Sequence, residues 1–82
     1  MLKRQTVAIQ DVYVPVKRRQ ALDPKKVEAL AESILTKGQE APILVRLEDK
    51  RFVLVEGLHR LEACRMLGET TVSAYLVQAR KH

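Results

Sequence analysis

The segment from Asp23 to Gly38 constrains the fold more than any other stretch of this chain. Asp23 suits a helix N-cap, and Pro24 occupies the first helical position, where a missing N–H costs nothing. Val27, Leu30, Ala31, Ile34 and Leu35 then recur at helical spacing as one apolar stripe. Gly38 follows where a C′ residue must accept positive φ. Such a helix must bury its stripe, and the remaining segments offer mostly strand-like surface for it to pack against.

Strand composition marks four segments. Gln5 to Val16 carries Val7, Ile9, Val12, Tyr13 and Val14, broken at Asp11 and limited near its end by Pro15. Ile43–Leu47 and Phe52–Val55 flank a polar Glu48-Asp49-Lys50-Arg51 turn, which predicts a hairpin covered in part on both faces. Thr71–Val77 is again rich in β-branched residues and precedes the basic tail Arg80-Lys81-His82. A second helix starts after Gly57, using Leu58, Leu61, Ala63, Cys64 and Leu67, and ends at Gly68. Lys17-Arg18-Arg19 reads as a cationic loop. The predicted fold is α+β: a small mixed β-sheet with two helices in the order β-α-β-β-α-β, one domain over residues 1–82.

Length and charge narrow the function. Eighty-two residues hold one modest core and no cavity between two domains. Fifteen Lys and Arg against ten Asp and Glu give a net charge of +5, which favours an anionic partner. The lone Cys64 excludes an internal disulfide and a multi-cysteine zinc site, and it reads as a small core residue in a reducing compartment. His59 and His82 lack partners at metal-ligand spacing. No apolar run nears the roughly 20 residues of a membrane span. We therefore expect a soluble cytoplasmic module with no metal site of its own and no membrane contact.

The segment that carries chemistry is Val55-Glu56-Gly57-Leu58-His59-Arg60. A strand stops, a glycine turns the chain, and a helix begins at once. The first amides of a helix lack internal partners and sit at the positive end of its dipole, which is a ready place for an anion. Arg60 can grip a phosphate through two N–H groups, and His59 can donate a hydrogen bond. The competing structural reading pairs Arg60 with Glu56 or Glu62. The segment lacks the longer glycine-rich loop and Gly-Lys-Ser/Thr ending of a Walker-type site.

Gly57-Leu58-His59-Arg60-Leu61-Glu62-Ala63, with Gly68 beyond it, resembles the Gly-Glu-Arg-Arg-x-x-Ala box of ParB partition proteins and, equally, the Gly-Cys-His-Arg motif of sulfiredoxins. Arg19-Gln20-Ala21-Leu22-Asp23 is similar to the Arg-x-x-Phe-Asp stretch of ParB. Leu22-Asp23-Pro24-Lys25-Lys26-Val27 is similar to a Leu-Asp-Pro-x-Lys-Val segment of sulfiredoxins, and Ser33-Ile34, Gly38 and Pro42-Ile43 also fall where both families place them. The resemblance runs from about Ile9 to Val77. It implies the fold shared by those families and a nucleotide pocket between the two helices, taking CTP or ATP with Mg2+. By position, Gly57, Leu58, His59 and Arg60 would hold phosphate, with Lys26 and Ser33 on the opposite wall and Arg19 beside them. It also implies a DNA-associated role in plasmid or chromosome partition or gene regulation; the basic residues spread along the chain fit either duplex DNA met through its backbone alone or an ordinary soluble basic surface.

One position departs from both families. Leu58 stands where sulfiredoxins carry their reactive cysteine and where ParB carries a glutamate used in hydrolysis. Leucine can do neither job, and Cys64 lies about two helical turns away, so sulfiredoxin activity and ParB-type CTP hydrolysis are not expected. Glu56, next to the glycine, is the better-placed candidate for a catalytic carboxylate, and Asp23, the other, is more simply a helix cap. Two other readings stay open: a small-molecule kinase, ATPase or nuclease on the same scaffold, and a protein-interaction module without nucleotide. Nothing after Val77 matches the helix-turn-helix or dimerisation domain of a full partition protein, so the chain reads as a fragment of a larger parent or as a stand-alone module, with a homodimer among the expected assemblies.

Overall fold

The Asp23–Gly38 segment folds as expected. In the computed structural model, which describes residues 3–38 and 41–77, helix α2 spans Pro24–Lys37, after a one-turn helix α1 at Val16–Arg19. Asp23 caps α2 by accepting the Lys25 N–H at 3.0 Å, and Gly38 ends it with φ 83°. Strands β1 (Lys3–Ala8), β2 (Val12–Tyr13), β3 (Ile43–Glu48), β4 (Arg51–Glu56) and β5 (Thr71–Val77) form a single sheet, and helix α3 (Leu58–Met66) connects β4 to β5. The basic tail Arg80-Lys81-His82 lies outside the described residues.

The sheet order is β1-β5-β3-β4-β2. β1 is antiparallel to β5, β5 parallel to β3, β3 antiparallel to β4, and β4 parallel to β2. The β3–β4 hairpin turns where the polar stretch places it, with Glu48 opposite Arg51 and both Asp49 and Lys50 at positive φ (51° and 65°). Two successive left-handed residues make the tight turn whose twist matches the strands on either side.

The core lies between this sheet and α3. Ile43, Val45, Leu54, Val72 and Ala74 of the sheet meet Leu58, Leu61 and Cys64 of α3. Ala63 faces the other way and joins Val27 and Ala31 of α2 in a second cluster. α3 is thus a middle element with apolar residues on two sides, which explains why Leu58, Leu61, Ala63 and Cys64 are all buried on so short a helix. Cys64 is fully buried, as a small core residue should be.

Several expectations need correction. The run from Gln5 to Val16 is not one strand. A 3-10 turn at Ile9–Asp11 divides it, and the two pieces become opposite edges of the sheet. The turn is anchored by the Ile9 N–H donating to the Thr70 carbonyl at 2.9 Å, with the Ile9 side chain in the core. Lys17-Arg18-Arg19 is helical rather than a loop, because the Pro15 carbonyl accepts from the N–H groups of Arg18 and Arg19. Leu35 is 73% exposed and does not belong to the buried stripe. It sits about 100° further round the helix than Ile34, past the narrow ridge that meets α3. Coverage of the hairpin on both faces reaches Val53, while Leu44 and Val55 are only half-buried.

Candidate functional site: a glycine corner and two helix starts

The sheet-to-helix corner is held by backbone geometry. Gly57 has φ 108° and ψ 29°, between the last residue of β4 and the first of α3. A Cβ built there would lie 2.7 Å from Ile43 Cγ2 and 3.2 Å from Ile43 Cα. The corner therefore presses on the start of β3 so closely that only glycine fits, for reasons of both torsion and space.

No described side chain caps the start of α3. The Leu61 N–H closes the first turn onto the Gly57 carbonyl at 2.9 Å, which leaves the amides of Leu58, His59 and Arg60 as the open donors of the helix. The three side chains diverge. Leu58 turns inward and joins the core at 9% exposure. Arg60 is half-buried and has no carboxylate partner among the described residues. Glu62, one of the partners considered for it, instead approaches Arg65 at 3.4 Å, and Glu56 is exposed.

His59 behaves differently from the donor envisaged from sequence. Its Nε2 accepts the backbone N–H of Asp23 at 3.0 Å, across 36 positions of sequence. An imidazole nitrogen accepts only when it carries no proton, so the ring proton sits on Nδ1. This bond brings the start of α2 to the start of α3. Nothing in the sequence signals it, because one partner is a backbone group.

The remaining sequence-derived residues sit around this junction to differing degrees. Lys26 is exposed in the first turn of α2, about 4.5 Å along the helix axis from Asp23. Ser33 is half-buried about 15 Å along that axis, and no described hydrogen bond links it to the corner. Arg19 is exposed at the end of α1, and its carbonyl accepts the Leu22 N–H at 3.2 Å just before Asp23. Lys17, Arg18 and Lys25 are also exposed, so the chain on both sides of Asp23 is densely cationic. No three His, Cys, Asp or Glu side chains among the described residues converge to hold a metal ion. No described helix is long and apolar enough to cross a membrane.

Sequence reasoning did not anticipate an open groove of about 420 Å³ between the start of α2 and the later turns of α3, whose lining includes none of Gly57, Leu58, His59 and Arg60. Leu22, Pro24, Val27 and Met66 give it an apolar floor, with Glu28, Glu62 and Arg65 alongside. Its only advance signal was a pair of large apolar residues, Leu22 and Met66, which remain 39% and 57% exposed.

Comparison with known proteins bears on the family and the fold. Residues 2–82 match the model of the ParB N-terminal domain. A probable chromosome-partitioning protein ParB from Campylobacter jejuni is 32% identical over 62 residues, which cover 76% of this chain and 22% of that protein. The chain thus spans about a fifth of the length of that relative. Among solved structures, sulfiredoxin from Arabidopsis thaliana superposes with a TM-score of 0.83 at 27% identity, covering 94% of this chain and 86% of that one. The C-terminally truncated chromosome-partitioning protein ParB from Caulobacter crescentus, complexed with CTP-gamma-S, superposes with a TM-score of 0.81 at 25% identity, covering 96% and 46%. The α+β fold with its mixed sheet is that of ParB and sulfiredoxin, and the chain belongs to the ParB N-terminal domain family.

Proposed function

We propose that this chain is a nucleotide-binding module that holds the phosphates of CTP at the glycine corner. The observation that carries this reading is Arg60. It is a half-buried guanidinium without a described carboxylate partner, in the first turn of a helix that no described side chain caps. A cation kept partly out of water calls for a counter-charge, and the adjacent open amides favour an anion at the same place. The Caulobacter ParB complexed with CTP-gamma-S favours CTP among the candidate nucleotides. Gly57 brings the main chain close to the ligand, and Arg60 supplies the charge-assisted contact. Lys26, Ser33 and Arg19 form the facing wall. His59 ties this wall to the corner through the Asp23 N–H.

Leu58 points into the core, so no side chain at that position activates water, and we propose binding without ParB-type hydrolysis. Magnesium would arrive on the nucleotide phosphates rather than in a preformed cage of protein ligands. The exposed cations from Lys17 to Lys26 would attract a DNA backbone, in keeping with a cytoplasmic role in partition or gene regulation.

Calorimetry with CTP, ATP, GTP and their diphosphates, each with and without Mg2+, tests the proposal. CTP should bind, and Arg60→Ala should weaken it about 10- to 100-fold, the equivalent of one charge-assisted hydrogen bond. Equal affinity in the parent and Arg60→Ala would refute the assignment of the site. A lack of binding by every nucleotide would refute the function.

A further inference from the structure

The stretch 15–26 holds the cations of the facing wall, yet it contains no buried side chain. Val14 before it and Val27 after it are buried at 4% and 5% exposure, while α1 buries nothing. Outside the helical ladder of α2, its other described hydrogen bonds close within residues 15–27: Arg18 and Arg19 onto Pro15, Gln20 onto Val16, Ala21 onto Arg18, Leu22 onto Arg19, Lys25 onto the Asp23 carboxylate, and Val27 onto the Asp23 carbonyl. Upstream of α2, the described bond that leaves the stretch runs from the Asp23 N–H to His59 Nε2 on α3.

We propose that His59 is a positioning residue. Its Nε2 fixes the start of α2, and with it the cations on either side of Asp23, against the glycine corner, and that nitrogen is not a phosphate donor. The chemistry is restrictive. Nε2 can hold Asp23 only while it bears no proton, so Nδ1–H is the one ring donor left to face a ligand. Asp23 is doubly fixed at this point, because its N–H is held by the imidazole while its carboxylate caps Lys25. The nucleotide part of this inference rests on the function proposed above; the hydrogen bond itself does not.

Two substitutions separate the ring nitrogens. In His59→Gln the side-chain oxygen reaches roughly the place of Nε2, whereas in His59→Asn the amide reaches only the place of Nδ1. Amide hydrogen exchange by NMR on the ligand-free chain reads the bond directly. Exchange at Asp23 should accelerate about tenfold in His59→Asn, the loss of one ordinary hydrogen bond, and stay near the parent rate in His59→Gln. The Leu61 amide, which closes the α3 turn, reports that the fold persists in each variant. Nitrogen-15 shifts of the imidazole should place the proton on Nδ1 in the parent. CTP affinity should follow Asp23 protection: within about threefold of the parent in His59→Gln and at least about tenfold weaker in His59→Asn.

Unchanged Asp23 exchange in His59→Asn would overturn the proposal. So would a His59→Gln variant that keeps Asp23 protected but loses CTP, since the imidazole would then be contacting phosphate itself. A parent chain that binds no nucleotide would refute the proposed function, while the exchange pattern would still decide the role of His59.

Discussion

Replacing Gly57 with alanine tests how tightly the corner is built. Two separate costs follow from the structure. At φ 108° an L-residue with a Cβ is strained, by roughly 1–2 kcal/mol for left-handed backbone. The new methyl would also stand 2.7 Å from Ile43 Cγ2, 3.0 Å from its Cβ and 3.2 Å from its Cα, well inside the ~3.5–4.0 Å at which carbon atoms rest. Ile43 cannot simply rotate aside. It is fully buried, and one of the colliding atoms is the backbone of β3, which lies between β4 and β5. Overpacking of this kind costs about 1–3 kcal/mol. The sum, about 2–5 kcal/mol, is a large part of the ~4–12 kcal/mol expected for a domain of this size. Gly68→Ala provides the internal control, because Gly68 has φ 81° but nothing within 4 Å of its built Cβ. That variant should lose only the torsional part, about 1–2 kcal/mol. Urea unfolding of both variants, compared at equal m-values, measures the difference. If Gly57→Ala proves no more costly than Gly68→Ala, the contact with Ile43 is not what fixes the corner.

Two further predictions concern the body of the fold. Leu61→Ala, at a fully buried position under α3, should lose about 2–5 kcal/mol, while Leu35→Ala should stay within about 0.5 kcal/mol; similar losses in urea melts would contradict the division between stripe and surface. Lys50→Gly relieves a non-glycine residue at φ 65° in the hairpin turn and should stabilise by about 0.5–1 kcal/mol, read as a rise in Tm, with a fall in Tm counting against the turn geometry.

What the sequence made legible were features decided within a few residues. Asp23, Pro24 and Gly38 each act on the nearest turn, so the bounds of α2 could be set without knowing what it packs against. The same holds for the hairpin turn at Asp49-Lys50 and for the corner at Gly57, where strand, glycine and helix follow one another directly. Features decided at long range were not legible. Whether Leu35 is buried depends on the width of the ridge facing α3. Whether Gln5 to Val16 is one strand or two depends on which sheet edge accepts each half. The burial of Leu58 was half visible: the sequence showed that its side chain has no catalytic chemistry, while its place in the core depended on the whole sheet. The pairing of His59 with Asp23 was hidden most completely, since any residue other than proline would offer the same N–H there.

The two sides of the proposed pocket differ in how they are held. The corner rests on the core: Ile43 and Leu61 are fully buried, Leu58 nearly so, and the glycine leaves no slack between them. The part of the cationic wall before α2, residues 15–23, has no buried side chain and is tied to α3 by the described hydrogen bond at Asp23, whereas Lys25 and Lys26 ride on α2, which packs on α3 through Val27, Ala31 and Ala63. Segments with so little buried surface open at low free-energy cost, whereas core elements open only with the whole domain. On the proposed reading, phosphate therefore meets a preformed anchor in the amides and Arg60, and ordering of the wall around the ligand consumes part of the binding free energy. The two sides should then fail differently. Loss of Arg60 removes an interaction from a surface that keeps its shape. Loss of the His59 acceptor leaves every phosphate contact at the corner in place and instead raises the entropy that must be given up when Arg19 and the chain up to Asp23 settle near the nucleotide.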